Sequence, residues 1–111
     1  MDLTQKKCVP CEKGAPPLLK KDIDKLLPQV SGWTLAGDMK SISREYSFKD
    51  FKWAMSFVNE VADLAEFEGH HPDIYIWWNK VKLTLTTHAI NGLSENDFIV
   101  AAKINGIETG K

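Results

Sequence analysis

The sequence predicts an α+β domain in which helices cover one face of a four-stranded antiparallel sheet, with the element order α-β-β-α-β-β-α. Three segments carry apolar residues at helical spacing, and four shorter segments alternate apolar with polar residues. The alternating segments form two adjacent pairs, and no long crossover separates the members of a pair. Strands joined by short connections pair antiparallel, so we expect two hairpins rather than a parallel sheet.

A polar leader rich in lysine and proline, residues 1–17, precedes the periodic segments. It has almost no apolar pattern, so we expect a flexible N-terminal arm followed by a single domain at residues 18–111. The leader contains both cysteines of the chain, Cys8 and Cys11. Structural zinc takes four ligands and no second cysteine pair exists, so the spacing favours two reduced thiols over a zinc site shared with histidines.

The first helix and the first hairpin come next. Apolar residues recur at helical spacing through residues 18–27, and a proline follows them directly. Residues 33–35 and 42–48 alternate apolar with polar side chains, and a Gly-Asp pair at 37–38 separates them. This pattern predicts a hairpin whose first strand is short.

The central helix has the strongest pattern in the chain. Asp50 suits its first turn, and Gly69 is a typical terminator. Between them, one apolar stripe continues for four turns in steps of three and four residues: Phe51, Ala54, Met55, Val58, Val61, Ala62 and Ala65.

Two further alternating segments flank Asn79-Lys80, which we predict to be a two-residue hairpin turn. This register pairs Trp78 with Val81 on the apolar face, beneath the helices. It also pairs His71 with His88 on the opposite face.

A last helix begins where Ser94 can cap it and runs through Ile104. Asp97 lies three residues after the cap, so it can accept a hydrogen bond there, serve a site, or do both.

Charge and hydropathy exclude several classes of protein. The 111 residues include 14 basic and 15 acidic side chains, a net charge of −1, which lacks the basic excess of direct nucleic-acid binders. No apolar run approaches the ~20 residues of a membrane span, and the N-terminus does not resemble a signal peptide. We therefore expect a cytoplasmic protein that contacts neither nucleic acid nor membrane.

The residues capable of proton transfer are close together in the sequence. All three histidines lie between His70 and His88, and carboxylates stand on either side of them: Glu66, Glu68 and Asp97. An imidazole gives or takes a proton near neutral pH, and a neighbouring carboxylate can orient it. Acid–base catalysis is therefore the chemistry that this pattern favours.

The run Glu66-x3-His70-His71-Pro72-x5-Trp78-x9-His88-x8-Asp97 resembles the signature of the pterin-4a-carbinolamine dehydratases. The resemblance extends over about residues 32–104 and includes Trp33, Phe48-Lys49-Asp50-Phe51, Asn79-Lys80-Val81, Thr87-His88 and Gly92-Leu93-Ser94. The N-terminal cysteines lie outside it.

The resemblance implies a hydro-lyase that removes water from 4a-hydroxytetrahydropterin to give quinonoid dihydropterin during tetrahydropterin recycling. It implies a catalytic set of His70, His71 and His88, supported by Glu66 and Asp97, with Trp33 contacting the substrate. No cofactor and no metal are required, because the step needs only an acid and a base. Relatives resemble homodimers or homotetramers, as an open sheet with uncovered edges also suggests.

Two alternatives belong to other classes of protein. Some relatives serve as dimerisation cofactors of a transcription factor, and a binding module of that kind would use a helix surface rather than the histidines. A metal-dependent hydrolase would use the same histidines. Adjacent histidines on an extended segment point to opposite sides, however, so His70 and His71 could not easily share one ion.

Overall fold

The structure is a computed structural model and describes residues 2–9 and 15–107. Its elements follow the predicted order and confirm the α+β fold. They are α1 (Lys20–Leu26), β1 (Thr34–Leu35), β2 (Ile42–Ser47), α2 (Phe51–Glu68), β3 (Asp73–Trp77), β4 (Lys80–Leu85) and α3 (Glu95–Asn105). Short 3₁₀ helices lie at Leu3–Gln5, Leu27–Gln29 and His88–Ile90. Within the described ranges, no helix is both long enough and apolar enough to span a bilayer.

The four strands form one antiparallel sheet in the order β1-β2-β4-β3. Ile42 of β2 lies opposite Leu85 of β4, and Tyr46 lies opposite Val81. These side chains share the sheet face that is buried against the helices, with members of one core cluster: Ile42, Val81, Leu83, Leu85, Ala54, Phe57, Val61, Phe98 and Ile99. The alternation in the sequence places the same residues on one face because successive strand side chains point to opposite sides.

Both ends of α2 are fixed by the residues that the sequence singles out. The Asp50 carboxylate accepts a hydrogen bond from the Trp53 backbone N–H at 2.9 Å, which caps the N-terminus. Gly69 adopts a φ of 68° and its N–H donates to the Ala65 carbonyl, a left-handed C-cap that glycine adopts at little cost. The chain therefore leaves the helix at a defined point, immediately before the paired histidines.

The second hairpin has a different register from the predicted one. Its two-residue turn consists of Trp78 and Asn79, so Ile76 lies opposite Val81. Asn79 is fixed to the end of β2, because its carbonyl accepts the Phe48 N–H at 2.8 Å and its side-chain amide donates to the Phe48 carbonyl at 2.9 Å. These two hydrogen bonds hold Asn79 in the turn, and Lys80 becomes the first residue of β4.

The prediction that Trp78 lies in the core is wrong for the same reason. In the turn it adopts a φ of 52°, and its side chain is 68% exposed. Alternation along a strand does not continue through a turn, so Trp78 does not share the burial of the strand residues before it. Tyr75 and Trp77 of the edge strand β3 are also exposed.

The structure also differs from the expected flexible arm at residues 2–9, which lie against α3. Leu3 is 2% exposed and belongs to the core cluster, and the Lys6 ammonium lies 2.7 Å from a Glu95 carboxylate oxygen. A single buried leucine produces no periodicity, which is why the sequence pattern did not reveal this packing. Cys11 lies outside the described residues, so the reading of the cysteine pair stays a prediction, as does the boundary at residue 17.

Candidate active site

The three histidines line one cavity of about 500 Å³, a size typical of small-molecule sites. His70 and His71 follow Gly69 at the end of α2, and His88 opens the 3₁₀ helix that follows β4. The rest of the lining comes from the end of α2, from the exit of β4, from α3 and from residues 8–9. The end of α2 and the 3₁₀ helix after β4 thus bring the imidazoles to the same cavity.

His70 is held by a carboxylate from α3. Its Nε2 lies 2.6 Å from Oδ1 of Asp97, whose side chain is fully buried, while the His70 side chain is 13% exposed. A neutral imidazole that donates from Nε2 to this carboxylate keeps Nδ1 as its proton acceptor. The contact therefore fixes both the orientation of the ring and the nitrogen that can take a proton.

The second oxygen of Asp97 is also fully engaged. Oδ2 accepts the Thr87 hydroxyl at 2.8 Å and the Ser94 backbone N–H at 3.0 Å. The Ser94 and Thr87 hydroxyl oxygens lie 2.7 Å apart, which extends the network. Asp97 therefore caps α3 and contacts His70 at the same time. Its two oxygens divide these roles.

His71 has a carboxylate partner of a different kind. Its Nε2 lies 2.5 Å from Oε2 of Glu66, but the two side chains are 57% and 78% exposed. Water screens such a pair, so we expect it to stabilise the fold little. Its geometric effect is to direct the His71 ring from the end of α2.

His71 and His88 do not form the predicted cross-strand pair. β3 begins at Asp73 and β4 ends at Leu85, so both histidines lie beyond the ladder. The observed register pairs Asp73 with Thr84, two residues before the partner that the predicted Trp78–Val81 pairing implies. The two residues nevertheless line the same cavity, since the loops that carry them converge.

Trp33 is not placed at this cavity. It is 6% exposed, lies in the core cluster, and donates its indole N–H to Oδ1 of Asn105 at 2.9 Å. Arg44 donates to the same oxygen at 2.7 Å. The structure thus gives Trp33 a packing environment in the core, and the substrate contact expected from the resemblance stays a prediction.

Glu68, one of the carboxylates that flank the histidines in the sequence, also lines the cavity, although the resemblance gives it no role. It is 5% exposed, and its carboxylate accepts from Lys103 at 2.6 Å and from the Cys8 backbone N–H at 3.0 Å. Burial raises the pKa of Glu68, but these hydrogen bonds and the Lys103 charge outweigh it, so the net pKa lies below the ordinary value. Lys103 is 35 positions away in the sequence, so no local motif signals the pair.

Cys8 also lines the cavity, where its thiol is kept protonated. Burial raises the pKa of Cys8 to about 12, and the neighbouring Glu68 carboxylate acts in the same direction. A thiol of this kind is a poor nucleophile, because only the thiolate attacks. Among the residues that the structure describes, no group of three or more His, Cys, Asp or Glu side chains is arranged to hold a metal ion.

Comparison with known families and proteins places this geometry in context. A family model described as pterin 4 alpha carbinolamine dehydratase matches residues 16–107. A Nitrosospira multiformis protein named "Putative pterin-4-alpha-carbinolamine dehydratase" is 51% identical over 104 residues, covering 94% of this chain and 90% of its own length. A protein of the same name from Alkaliphilus metalliredigens is 48% identical over 105 residues, covering 94% of each chain.

Two solved structures share the fold. A transcriptional coactivator/pterin dehydratase from Brucella melitensis superposes with a TM-score of 0.77 at 34% identity, covering 81% of this chain and 96% of that one. A pterin dehydratase-like protein described as a RuBisCO assembly factor in the alpha-carboxysome gives 0.58 at 22% identity, covering 68% and 87%. The second likeness shows the fold alone.

Proposed function

This chain belongs to the pterin-4a-carbinolamine dehydratase family, and on that premise we propose that it dehydrates 4a-hydroxytetrahydropterin through histidine acid–base catalysis. The observation that carries the proposal is the convergence of His70, His71 and His88 on one cavity, with His70 bonded to the buried Asp97. The family membership supports a pterin dehydratase, and the arrangement of the imidazoles suits the proton transfers that such a reaction needs.

The reaction requires two proton transfers and no net redox change. An acid protonates the hydroxyl on C4a, which departs as water when the C4a–O bond breaks. A base takes the proton from N5, and the N–H electron pair forms the C4a=N5 double bond of the quinonoid dihydropterin. One proton enters the leaving group and one leaves the ring, so a set of imidazoles can perform both steps and recover its protonation state.

The supporting residues take distinct roles in this proposal. Asp97 orients His70, and Thr87 and Ser94 hold the carboxylate in place. Glu66 orients His71 at the exposed side of the cavity. Both carboxylates act through a histidine, so they are positioning residues, and the three histidines are the candidate catalytic residues.

The substrate and product define the neighbouring reactions. A 4a-hydroxytetrahydropterin arises when a tetrahydropterin-dependent hydroxylase transfers one oxygen atom to an aromatic amino acid. The quinonoid product must be reduced to return to the tetrahydro form. We therefore propose a cytoplasmic role in tetrahydropterin recycling, between such a hydroxylase and a reductase.

A homodimer or homotetramer is the proposed assembly. β3 is an edge strand of the sheet, and its Tyr75 and Trp77 side chains are 54% and 45% exposed. An uncovered edge with large aromatic side chains favours pairing with another chain.

The test is a spectroscopic assay of the purified protein with freshly generated 4a-hydroxytetrahydropterin. Dehydration faster than the spontaneous reaction supports the proposal, and a rate equal to the spontaneous one contradicts it. Treatment with a chelator is expected to leave the rate unchanged, because proton transfer between imidazoles and substrate needs no Lewis acid. Activity that is lost on chelation and restored by zinc would favour the metal-dependent alternative.

A binding module is the second candidate, and the description of the Brucella relative as a coactivator is the observation that favours it. The exposed Trp77 and Trp78 could serve a partner protein as well as a second copy of this chain. The assay above separates the two functions, since a binding module does not depend on the histidine cavity.

A further inference from the structure

The N-terminal strap, defined as residues 2–9, forms part of the wall of the histidine cavity. Cys8 and Val9 line the cavity beside the candidate catalytic residues. The strap precedes His70 by more than 60 residues in the sequence and lies outside residues 16–107, which the family model matches. A role of the strap in ligand binding would therefore be separate from the roles that the resemblance assigns to the histidines.

The strap is held by hydrogen bonds to its backbone at the cavity. Asn96 of α3 accepts the Val9 N–H at 3.0 Å and donates to the Val9 carbonyl at 2.6 Å. Glu68 accepts the N–H of the preceding residue, Cys8, at 3.0 Å. Both anchoring side chains are buried, at 4% and 5% exposure, and hydrogen bonds in such an environment are stronger than those exposed to water.

Further contacts fix the strap toward its N-terminal end. Leu3 is buried in the core, and Lys6 pairs with Glu95 at 2.7 Å. The Lys7 ammonium donates to the Phe67 carbonyl at 3.3 Å and lies 4.1 Å from the centre of the Phe67 ring. The strap is thus attached to α2 and α3 along its length.

Val9 differs from the other large exposed apolar side chains of the described residues, because it lines the histidine cavity. Its backbone is bonded on both sides, yet its apolar side chain is 65% exposed and lines the cavity. Single exposed apolar side chains are common on protein surfaces, and Leu19 is one that does not line the cavity. Val9 does line it, and a fixed apolar group beside polar imidazoles is suited to contact one face of a flat ligand.

We propose that Val9 is a substrate-contacting residue, and that Asn96 and Glu68 are positioning residues that hold it against the bound pterin. This inference rests on the proposed function for the identity of the ligand. The contact contributes to binding in the ground state and the transition state alike, since Val9 has no group that takes part in proton transfer. Its loss is therefore expected in KM and not in kcat.

The first test compares Val9→Ser with Val9→Ile and with Leu19→Ser. Leu19 is 61% exposed and does not line the cavity, which makes it a matched control for removing an exposed apolar side chain. We expect Val9→Ser to raise KM about fivefold with kcat unchanged, because it removes a small apolar contact. Leu19→Ser should keep the wild-type KM, and the conservative Val9→Ile, which restores an apolar contact, should have a KM well below that of Val9→Ser. A wild-type KM in Val9→Ser, or a loss confined to kcat, would overturn the inference.

The second test uses Cys8 as a reporter of strap position, in a Cys11→Ser background where Cys8 is the only cysteine. Its raised pKa predicts slow alkylation at pH 8. Asn96→Ala should speed alkylation and raise KM together, while Lys7→Ala should change neither by more than about twofold. A higher KM in Asn96→Ala without faster alkylation would contradict the anchoring role.

Equilibrium dialysis with biopterin separates failure of this inference from failure of the proposed function. If the wild-type protein binds biopterin but does not dehydrate the substrate, the proposed reaction is wrong. Weaker biopterin binding by Val9→Ser would still support a contact between Val9 and the pterin. If the protein is active and Val9→Ser matches wild type in KM and in biopterin affinity, Val9 does not contact the pterin and the proposed reaction stands.

Discussion

Nε2 of His70 lies 2.6 Å from Oδ1 of Asp97, across 27 positions of sequence and between the end of α2 and the first turn of α3. The same carboxylate accepts the Ser94 N–H that caps α3. One buried aspartate therefore links the start of a helix to the orientation of a candidate catalytic imidazole. Stability and activity should respond together when it is changed.

Asp97→Asn is expected to lower kcat by about 100-fold, because an amide can donate to Nε2 and thereby favour the wrong imidazole tautomer. The matched control is Glu66→Gln, which alters the exposed pair with His71. We expect kcat of Glu66→Gln to fall by less than about threefold. Steady-state kinetics of both variants checks the difference, and equal losses in the two would argue against a special role for the buried pair.

Leu3→Ala should lower the free energy of unfolding by about 2 kcal/mol, since it removes a buried leucine from the core cluster. Gln5→Ala, at an exposed position of the same 3₁₀ helix, should change it by less than about 0.5 kcal/mol. Urea unfolding monitored by tryptophan fluorescence measures both. Identical midpoints for Leu3→Ala and wild type would restore the original expectation of an arm without packing.

Most of the fold could be predicted from the sequence because it is encoded in local patterns. The α2 stripe, its Asp50 cap and its Gly69 terminator are each readable within one segment. The strap was missed because its anchors at Cys8 and Val9 are backbone groups, and any residue type supplies those.

The hairpin register was missed because hydrogen bonds between Asn79 and Phe48 decide it, and these join different hairpins. In the site, the histidine cluster was visible as a sequence motif. The buried pair of Glu68 with Lys103 was not, since its partners are far apart in the chain.

Lys103→Met should destabilise the fold by about 3 kcal/mol, because it leaves the buried Glu68 carboxylate without its cationic partner. The control is Lys6→Met, which removes a partly exposed partner of Glu95 and should cost less than about 1 kcal/mol. Chemical denaturation at pH 7 measures both changes. Equal losses of unfolding free energy in Lys103→Met and Lys6→Met would contradict the claim that burial makes the Glu68–Lys103 pair important for stability.

The pH dependence of stability gives a second reading of Glu68. The pKa of Glu68 in the folded protein lies below its value in the unfolded chain. Glu68 therefore contributes to the free energy of unfolding above the unfolded pKa, and this contribution is lost as the pH falls through the folded pKa. The free energy of unfolding of the wild-type protein should therefore decrease as the pH is lowered, and it should decrease less in Glu68→Gln. An equal decrease in Glu68→Gln and wild type would rule out Glu68 as a source of the pH dependence.

Sedimentation at micromolar concentration should show a dimer or a tetramer, because the edge strand β3 exposes aromatic side chains. Trp77→Lys should shift the protein toward the monomer, since a charge on an edge strand opposes pairing. Lys49→Glu, an exposed change outside β3, should leave the assembly intact. A wild-type protein that sediments only as a ~12 kDa monomer would refute the proposed assembly.

The most direct test of the central claim is the dehydration rate of His71→Ala and His88→Ala, measured beside wild type with freshly generated 4a-hydroxytetrahydropterin. Both side chains line the cavity and are exposed, so their removal should change the free energy of unfolding by less than about 1 kcal/mol. We predict that each substitution lowers kcat by about 100-fold or more. Wild-type turnover in either variant, with the fold intact, would contradict histidine acid–base catalysis in this protein.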